Sequence, residues 1–168
     1  LQHDKIAYKT AHQRFIKAGY FFTFPAMLLL YLLAEPIVML LLGNEWVKTI
    51  DLLRILALAR ITMPLSLLNL TALNSFGRSD VFLKLDVISI IFGISILMFT
   101  IRHGILMVVY GQLALSLISY FFNAWVAGKH ANYLLGEQLK DSLPYILASL
   151  ALLLSGLFLI QIECGYLL

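Results

Sequence analysis

A chain of 168 residues that is 61% hydrophobic and 12% charged, with a mean hydropathy of +0.92, carries too little charge for a water-soluble domain, where about a quarter of residues are charged. Its apolar surface also exceeds what a core of this size can enclose. The net charge of +3 is small, and one cysteine, Cys164, excludes an internal disulfide and any CxxC metal or redox motif. These facts leave a membrane protein.

Residues 1–17 are polar and basic and lack the short apolar core of a signal peptide. They read as an amphipathic cytoplasmic lead-in, with Tyr8, Phe15 and Ile16 able to rest on a membrane surface. Five apolar runs follow: Ala18 to Leu42, Ile50 to Asn74, Val81 to Ile101, Ile105 to Ala127 and Leu143 to Ile162. At about 1.5 Å of rise per residue each reaches roughly 30 Å, enough to cross a bilayer. The separators Gly43 to Thr49, Ser75 to Asp80, Arg102 to Gly104 and Gly128 to Ser142 are short and polar. Connections of that length force antiparallel neighbours. The expected architecture is therefore an all-α membrane protein, an antiparallel bundle of five transmembrane helices over residues 18–162, with a short extracytoplasmic tail at 163–168.

Basic residues set the orientation. With the N-terminal segment inside, Lys5, Lys9, Arg14, Lys17, Arg78, Lys84, Lys129 and Lys140 fall on the cytoplasmic side, against Lys48, Arg54 and Arg102 outside.

The second run is the richest in polar groups. Arg60, Pro64 and Asn69 lie inside it. At 100° per residue Thr62, Ser66 and Asn69 share a face, with Arg60 and Thr71 roughly opposite, and Pro64 removes a helix hydrogen bond between them. Polar groups of this kind mark a path for polar cargo. Arg60 either faces an aqueous cavity, where a guanidinium suits a phosphate or a sugar carboxylate, or pairs with an acid inside the bundle. Glu35 lies at a depth between Arg54 and Arg60 on the neighbouring helix, and an isolated charge there is costly. Glu35 and Arg54 are thus candidates for an ion pair or an ion-coupling site, the Glu35-Pro36 dipeptide favouring a kink with an ion-pair anchor.

In the fourth run Gln112, Ser116, Ser119 and Asn123 recur at intervals of four, three and four, a continuous polar stripe flanked by Tyr120. Such a stripe lines a cavity or joins two helices; it does not face lipid. The candidates for a substrate path are therefore Arg60, Asn69, Gln112, Ser116, Ser119 and Asn123. Ser89, Gly93, Ser149 and Ser155 read as packing residues. Trp46, Trp125, Tyr20 and Tyr133 sit near run ends and read as interfacial anchors. His3, His12, His103 and His130 fall in loops or near interfaces without metal-ligand spacing. Arg78, Lys84, Asp80 and Asp86 read as a solvated hinge around Gly77. Neither a catalytic serine–histidine–acid set, a phosphate-binding glycine loop nor a nucleic-acid signature is visible, so no enzyme, cofactor, metal or nucleic-acid partner is expected.

Phe24-Pro25-Ala-Met-Leu, Ala34-Glu35-Pro36-Ile-Val, Leu42-Gly43-Asn-Glu45-Trp46, Leu53-Arg54-Ile-Leu and the stretch from Leu68-Asn69 to Gly77-Arg78-Ser79-Asp80 resemble the polysaccharide transporter family of O-antigen and exopolysaccharide flippases. Its superfamily also holds the multidrug and toxin extrusion antiporters and the lipid II flippases. The likeness runs from Lys5 to Leu159 and rests on the order and spacing of punctuating residues. Members have about twelve to fourteen helices in two lobes, so the resemblance implies a C-terminal fragment holding most of one lobe, in keeping with a start at Leu1. It further implies a bacterial inner-membrane flippase for undecaprenyl-diphosphate-linked oligosaccharide, serving lipopolysaccharide or exopolysaccharide assembly. The implied partners are the lipid-linked oligosaccharide, membrane lipid, the missing N-terminal lobe, and polysaccharide polymerase and chain-length machinery. Two alternatives stand beside it. A multidrug cation antiporter needs more acidic and aromatic residues in its cavity, and a membrane-embedded polymerase needs a long outer loop, which Gly43 to Thr49 and Arg102 to Gly104 do not provide.

Overall fold

The computed structural model describes residues 5–166, with side chains over 6–156. These residues form six α-helices: α1 (Lys5–Leu32), α2 (Ala34–Leu41), α3 (Lys48–Ser75), α4 (Ser79–Thr100), α5 (Ile105–Ala131) and α6 (Leu135–Tyr166). Single 3-10 turns at Asn44–Trp46 and Ile101–His103 punctuate one end of the bundle. Five of the helices are long and apolar enough to cross a membrane, α2 being the short exception.

The first run begins earlier than its hydropathy shows. Residues 5–17 continue into it without a break, so the polar lead-in and the apolar run are one helix. That helix is interrupted at Leu33. Pro36 has no N–H to offer the Leu32 carbonyl, and its ring crowds the preceding turn, so the chain resets as α2. Leu33 still bonds Leu29 at 2.8 Å and Ile37 bonds Leu33 at 2.9 Å, which makes the break a proline kink within one long rod. Pro64, by contrast, is carried inside a continuous α3.

Successive long helices alternate in direction, and α3 is the central one, packed against α1, α4 and α5. Half of its apolar span is buried, against 6% for α4, which leaves α4 at the periphery. Ile16, Tyr20, Leu65, Tyr120, Ala124, Ala131 and Tyr133 form the main core cluster, joining α1, α3 and α5 to the turn before α6. A second cluster, Leu70, Leu73, Leu85 and Ala127, ties α3, α4 and α5 together near the Gly77 turn. The outward faces are apolar, with Phe22 70%, Phe99 72% and Leu154 64% exposed, as expected where the surrounding solvent is hydrocarbon.

Two turns depend on backbone freedom. After α3, Arg78 N–H bonds the Leu73 carbonyl at 3.0 Å and Gly77 N–H bonds the Asn74 carbonyl at 2.9 Å, with Gly77 at φ 71°; this is a Schellman stop that reverses the chain into α4. After α5, Asn132 takes φ 51° and Tyr133 N–H bonds the Gly128 carbonyl at 3.0 Å. The returning strand of chain passes so close that a Cβ on Gly128 would sit 2.6 Å from the Tyr133 carbonyl oxygen.

Three sequence expectations are corrected here. Tyr20 (2% exposed) and Tyr133 (0%) are core residues and not interfacial anchors, because their hydroxyls find partners inside the bundle: Tyr20 bonds the Tyr120 hydroxyl, and Tyr133 donates to Asp141 at 2.9 Å. His12 is buried within α1 and not in a loop. The last helix begins at Leu135 and not at Leu143, and it continues to Tyr166, through most of the expected tail. His3, Leu167 and Leu168 lie outside the described residues.

Candidate functional site

The polar stripe of α5 meets α3 and α4 at a cavity of about 230 Å³. Gln112, Ser116, Ser119 and Asn123 all line it, and Arg60 and Ser66 enter from α3. From α4 come Asp86 and Ser89. Helical geometry explains the gathering from α5: intervals of four, three and four keep its side chains within about one quadrant of the helix. Arg60 and Ser66 reach the same space although they are not on one narrow stripe, because the cavity is wide enough to meet a broad sector of α3.

Charge and hydrogen-bonding capacity are unevenly spread along the cavity. Counting from the Gly77 turn at 1.5 Å per residue, Asp86 stands about 10 Å and Arg60 about 22 Å along the helices. Arg60 is exposed and donates to the Met63 sulfur at 3.0 Å; among the described residues it has no carboxylate partner. Asp86 is half-buried and likewise has no ion pair among the described residues. Asn123 Nδ2 donates to Ser66 Oγ at 2.8 Å, which links α5 to α3. The buried Asn123 Oδ1 has no hydrogen-bond partner among the described residues. A buried amide oxygen without a donor is costly, and this one belongs to a residue that lines the cavity. The Ser116 hydroxyl is committed to the Leu113 carbonyl at 2.8 Å. The cavity thus presents a fixed cation, a carboxylate and neutral amide and hydroxyl groups, a set that can hold a polar, partly anionic molecule rich in hydroxyls.

Asn69 is not part of that cavity. It is fully buried, and its amide exchanges two bonds with Gln138 of α6, each at 3.1 Å. Asn69 Nδ2 also donates to the Leu65 carbonyl at 3.1 Å, and Asn69 Oδ1 lies 3.2 Å from His12 Nε2. This network joins α1, α3 and α6. Around it Tyr8 donates to the Ala72 carbonyl at 3.0 Å, Lys9 pairs with Glu137 at 2.8 Å and Lys17 with Asp141 at 3.2 Å. Burial pushes the Tyr133 hydroxyl above the ordinary phenol range, and the Asp141 carboxylate beside it acts in the same direction, so Tyr133 stays a donor. The lead-in is therefore clasped to the bundle by polar contacts.

Glu35 and Arg54 stand apart from both groups. Arg54 Nη2 is 3.5 Å from Glu35 Oε2, and Arg54 Nη1 is 3.8 Å from Asp51 Oδ1. The Tyr31 ring lies 5.9 Å from the same guanidinium. Arg54 thus braces the proline-kinked α2 against α3, while Arg60, about one and two-thirds turns further on, is left to the cavity.

Sequence reasoning missed Asp86 and Ser89 as cavity residues. Asp86 follows Asp80 and Lys84 and reads as part of a charged hinge; the signal available was its position more than one turn inside the third apolar run. Among the described residues no cluster of histidine, cysteine and carboxylate side chains is placed to hold a metal ion.

Residues 1–51, which take in α1, α2 and the start of α3, match the family described as "Polysaccharide biosynthesis protein". No curated protein and no solved structure matches the chain. The five apolar helices support a multi-pass membrane protein, and the similarity to a polysaccharide biosynthesis family is confined to its first 51 residues.

Proposed function

We propose that this chain forms part of a flippase that moves undecaprenyl-diphosphate-linked oligosaccharide across the bacterial inner membrane during surface polysaccharide assembly. The observation that carries the reading is the cavity between α3, α4 and α5, where Arg60 meets the hydrogen-bonding stripe of Gln112, Ser119 and Asn123 within helices long enough to span a bilayer. Arg60 holds an anionic group of the cargo, its diphosphate or an acidic sugar, through a permanent charge and forked donors. Gln112 and Ser119 exchange hydrogen bonds with sugar hydroxyls, while Asn123 holds Ser66 beside them. The match of residues 1–51 to a polysaccharide biosynthesis family supports the same cargo class. No bond is made or broken: the protein is a carrier and not an enzyme. The basic residues of the N-terminal segment, the Gly77 turn and the turn before α6 face the cytoplasm.

The test is export of lipid-linked repeat units by the whole protein carrying Arg60 substitutions at matched expression. Arg60→Ala lowers export about tenfold, the worth of roughly one charged hydrogen bond. Arg60→Lys restores part of it, because the charge remains and the fork does not. Export at the wild-type rate in Arg60→Ala removes the cargo role of this residue.

A further inference from the structure

Two cavities outside the candidate path are linked by the contact of Lys129 with Trp125. The first is an apolar groove lined by Leu117, Ile118, Phe121, Phe122, Trp125 and Leu135. From Leu117 to Trp125 it follows α5 for about 12 Å. The second is a polar pocket of about 360 Å³ at the basic end of the bundle, to which Lys9, Gln13, Lys129, His130 and Asn132 contribute. They adjoin at the C-terminal end of α5: the Lys129 ammonium lies 3.5 Å from the centre of the Trp125 ring, which closes the groove, and Lys129 itself lines the pocket. Within this region Lys9 is neutralised by Glu137 at 2.8 Å, whereas Lys129 has no carboxylate partner among the described residues.

We infer that this composite cleft is a binding site for an anionic phospholipid. An acyl chain lies in the groove, and the phosphate sits over Lys129, within reach of His130 and Asn132. The charge pattern selects the occupant. A cation whose position is fixed against an indole, at the depth where an apolar groove gives way to a polar pocket, matches the boundary between an acyl chain and its phosphate. A second apolar helix would fill the groove and leave the ammonium and the polar pocket unmatched. A soluble anion would leave the groove unmatched. The lipid satisfies both halves, and it would join the end of α5 to the N-terminal half of α1, which contributes Lys9 and Gln13 to the same pocket. The inference does not depend on the cargo or on the transport reading.

The chain contains two tryptophans, so Trp46→Phe leaves Trp125 as a reporter placed at the lipid contact. The purified protein is reconstituted into phosphatidylcholine vesicles containing an equal mole fraction of brominated phosphatidylglycerol or brominated phosphatidylcholine, and quenching of Trp125 is compared. The expected preference for phosphatidylglycerol is roughly fivefold, the effect of one well-placed cation near the membrane surface. Lys129→Gln brings it below about twofold with unchanged helical circular dichroism, and Lys129→Arg retains it. Lys140→Gln, at the same basic end but outside both cavities, leaves it in place. Equal quenching by the two lipids overturns the inference. So does a loss of preference in Lys140→Gln as large as in Lys129→Gln, which would show a diffuse surface field. Competition by excess glycerol phosphate, which lacks acyl chains, overturns it as well.

Discussion

Asn69 of α3 and Gln138 of α6 exchange a reciprocal pair of amide hydrogen bonds, each 3.1 Å long, with both side chains fully buried. The pair completes the donors and acceptors of two groups that would be costly to bury alone, and His12 at 3.2 Å extends it to α1. Three helices are thereby held in one register at the basic end of the bundle.

Removing one partner strands the other. Gln138→Leu leaves the Asn69 amide buried with fewer partners and lowers stability by about 1–3 kcal/mol. The Asn69→Leu, Gln138→Leu double variant, with both amides replaced by apolar groups of similar size, regains much of that loss. Thermal unfolding of the detergent-solubilised protein, followed by helical circular dichroism, measures both.

The ion pair at the kink behaves in the same way for a different reason. Glu35 and Arg54 are 3.5 Å apart within an apolar rod, where a lone charge costs roughly 2.5–3.5 kcal/mol of insertion free energy. Arg54→Gln, which strips the cation from both Glu35 and Asp51, therefore reduces membrane-inserted protein more than Arg54→Gln combined with Glu35→Gln does. Quantitative immunoblotting of membrane fractions reads the difference.

Gly128→Ala tests the turn before α6. A methyl group placed 2.6 Å from the Tyr133 carbonyl oxygen forces the chain away from the end of α5. It disturbs Tyr133, which is buried in the main core cluster. The expected loss is about 1–3 kcal/mol, the range for overpacking, whereas Gly136→Ala, where a Cβ meets nothing within 4 Å, leaves the unfolding midpoint unchanged or raised. Paired melts of the two variants decide it.

The five apolar helices could be read from composition, because runs near twenty residues with short polar separators admit little else. The starts of the first and last helices could not. Lys9, His12 and Lys17 look like a solvated lead-in, yet they face Glu137, Asn69 and Asp141 on other helices, and no local signal announces such distant partners. The same holds for Gln138 and Ser142, whose burial against α1 and α3 puts the start of α6 at Leu135. Tyr20 and Tyr133 show a related limit: near a run end, an aromatic that anchors at an interface has the same sequence pattern as one that fills the core. The α5 stripe was legible through its spacing. That Arg60 joins it, while Asn69 turns to α6 and Arg54 to α2, depends on which helix packs on which side of α3.

Orientation is tested by accessibility. Single cysteines at Ser79 and Thr49, in a Cys164→Ser background, are treated with an impermeant thiol reagent in intact cells whose outer membrane has been permeabilised. Thr49→Cys labels and Ser79→Cys does not, as the eight-to-three excess of basic residues on the Gly77 side requires. The reverse pattern inverts the topology.

The central claim is that the cargo is a lipid-linked oligosaccharide, and its leaflet distribution tests that most directly. In a strain lacking the gene, lipid-linked repeat units continue to be made and accumulate facing the cytoplasm. They are inaccessible to an impermeant lectin or glycosidase applied to the outer face of spheroplasts, and the intact gene restores their access. Normal outward presentation in the deletion strain, together with heightened sensitivity to cationic drugs, would contradict the account and point to a cation exporter instead.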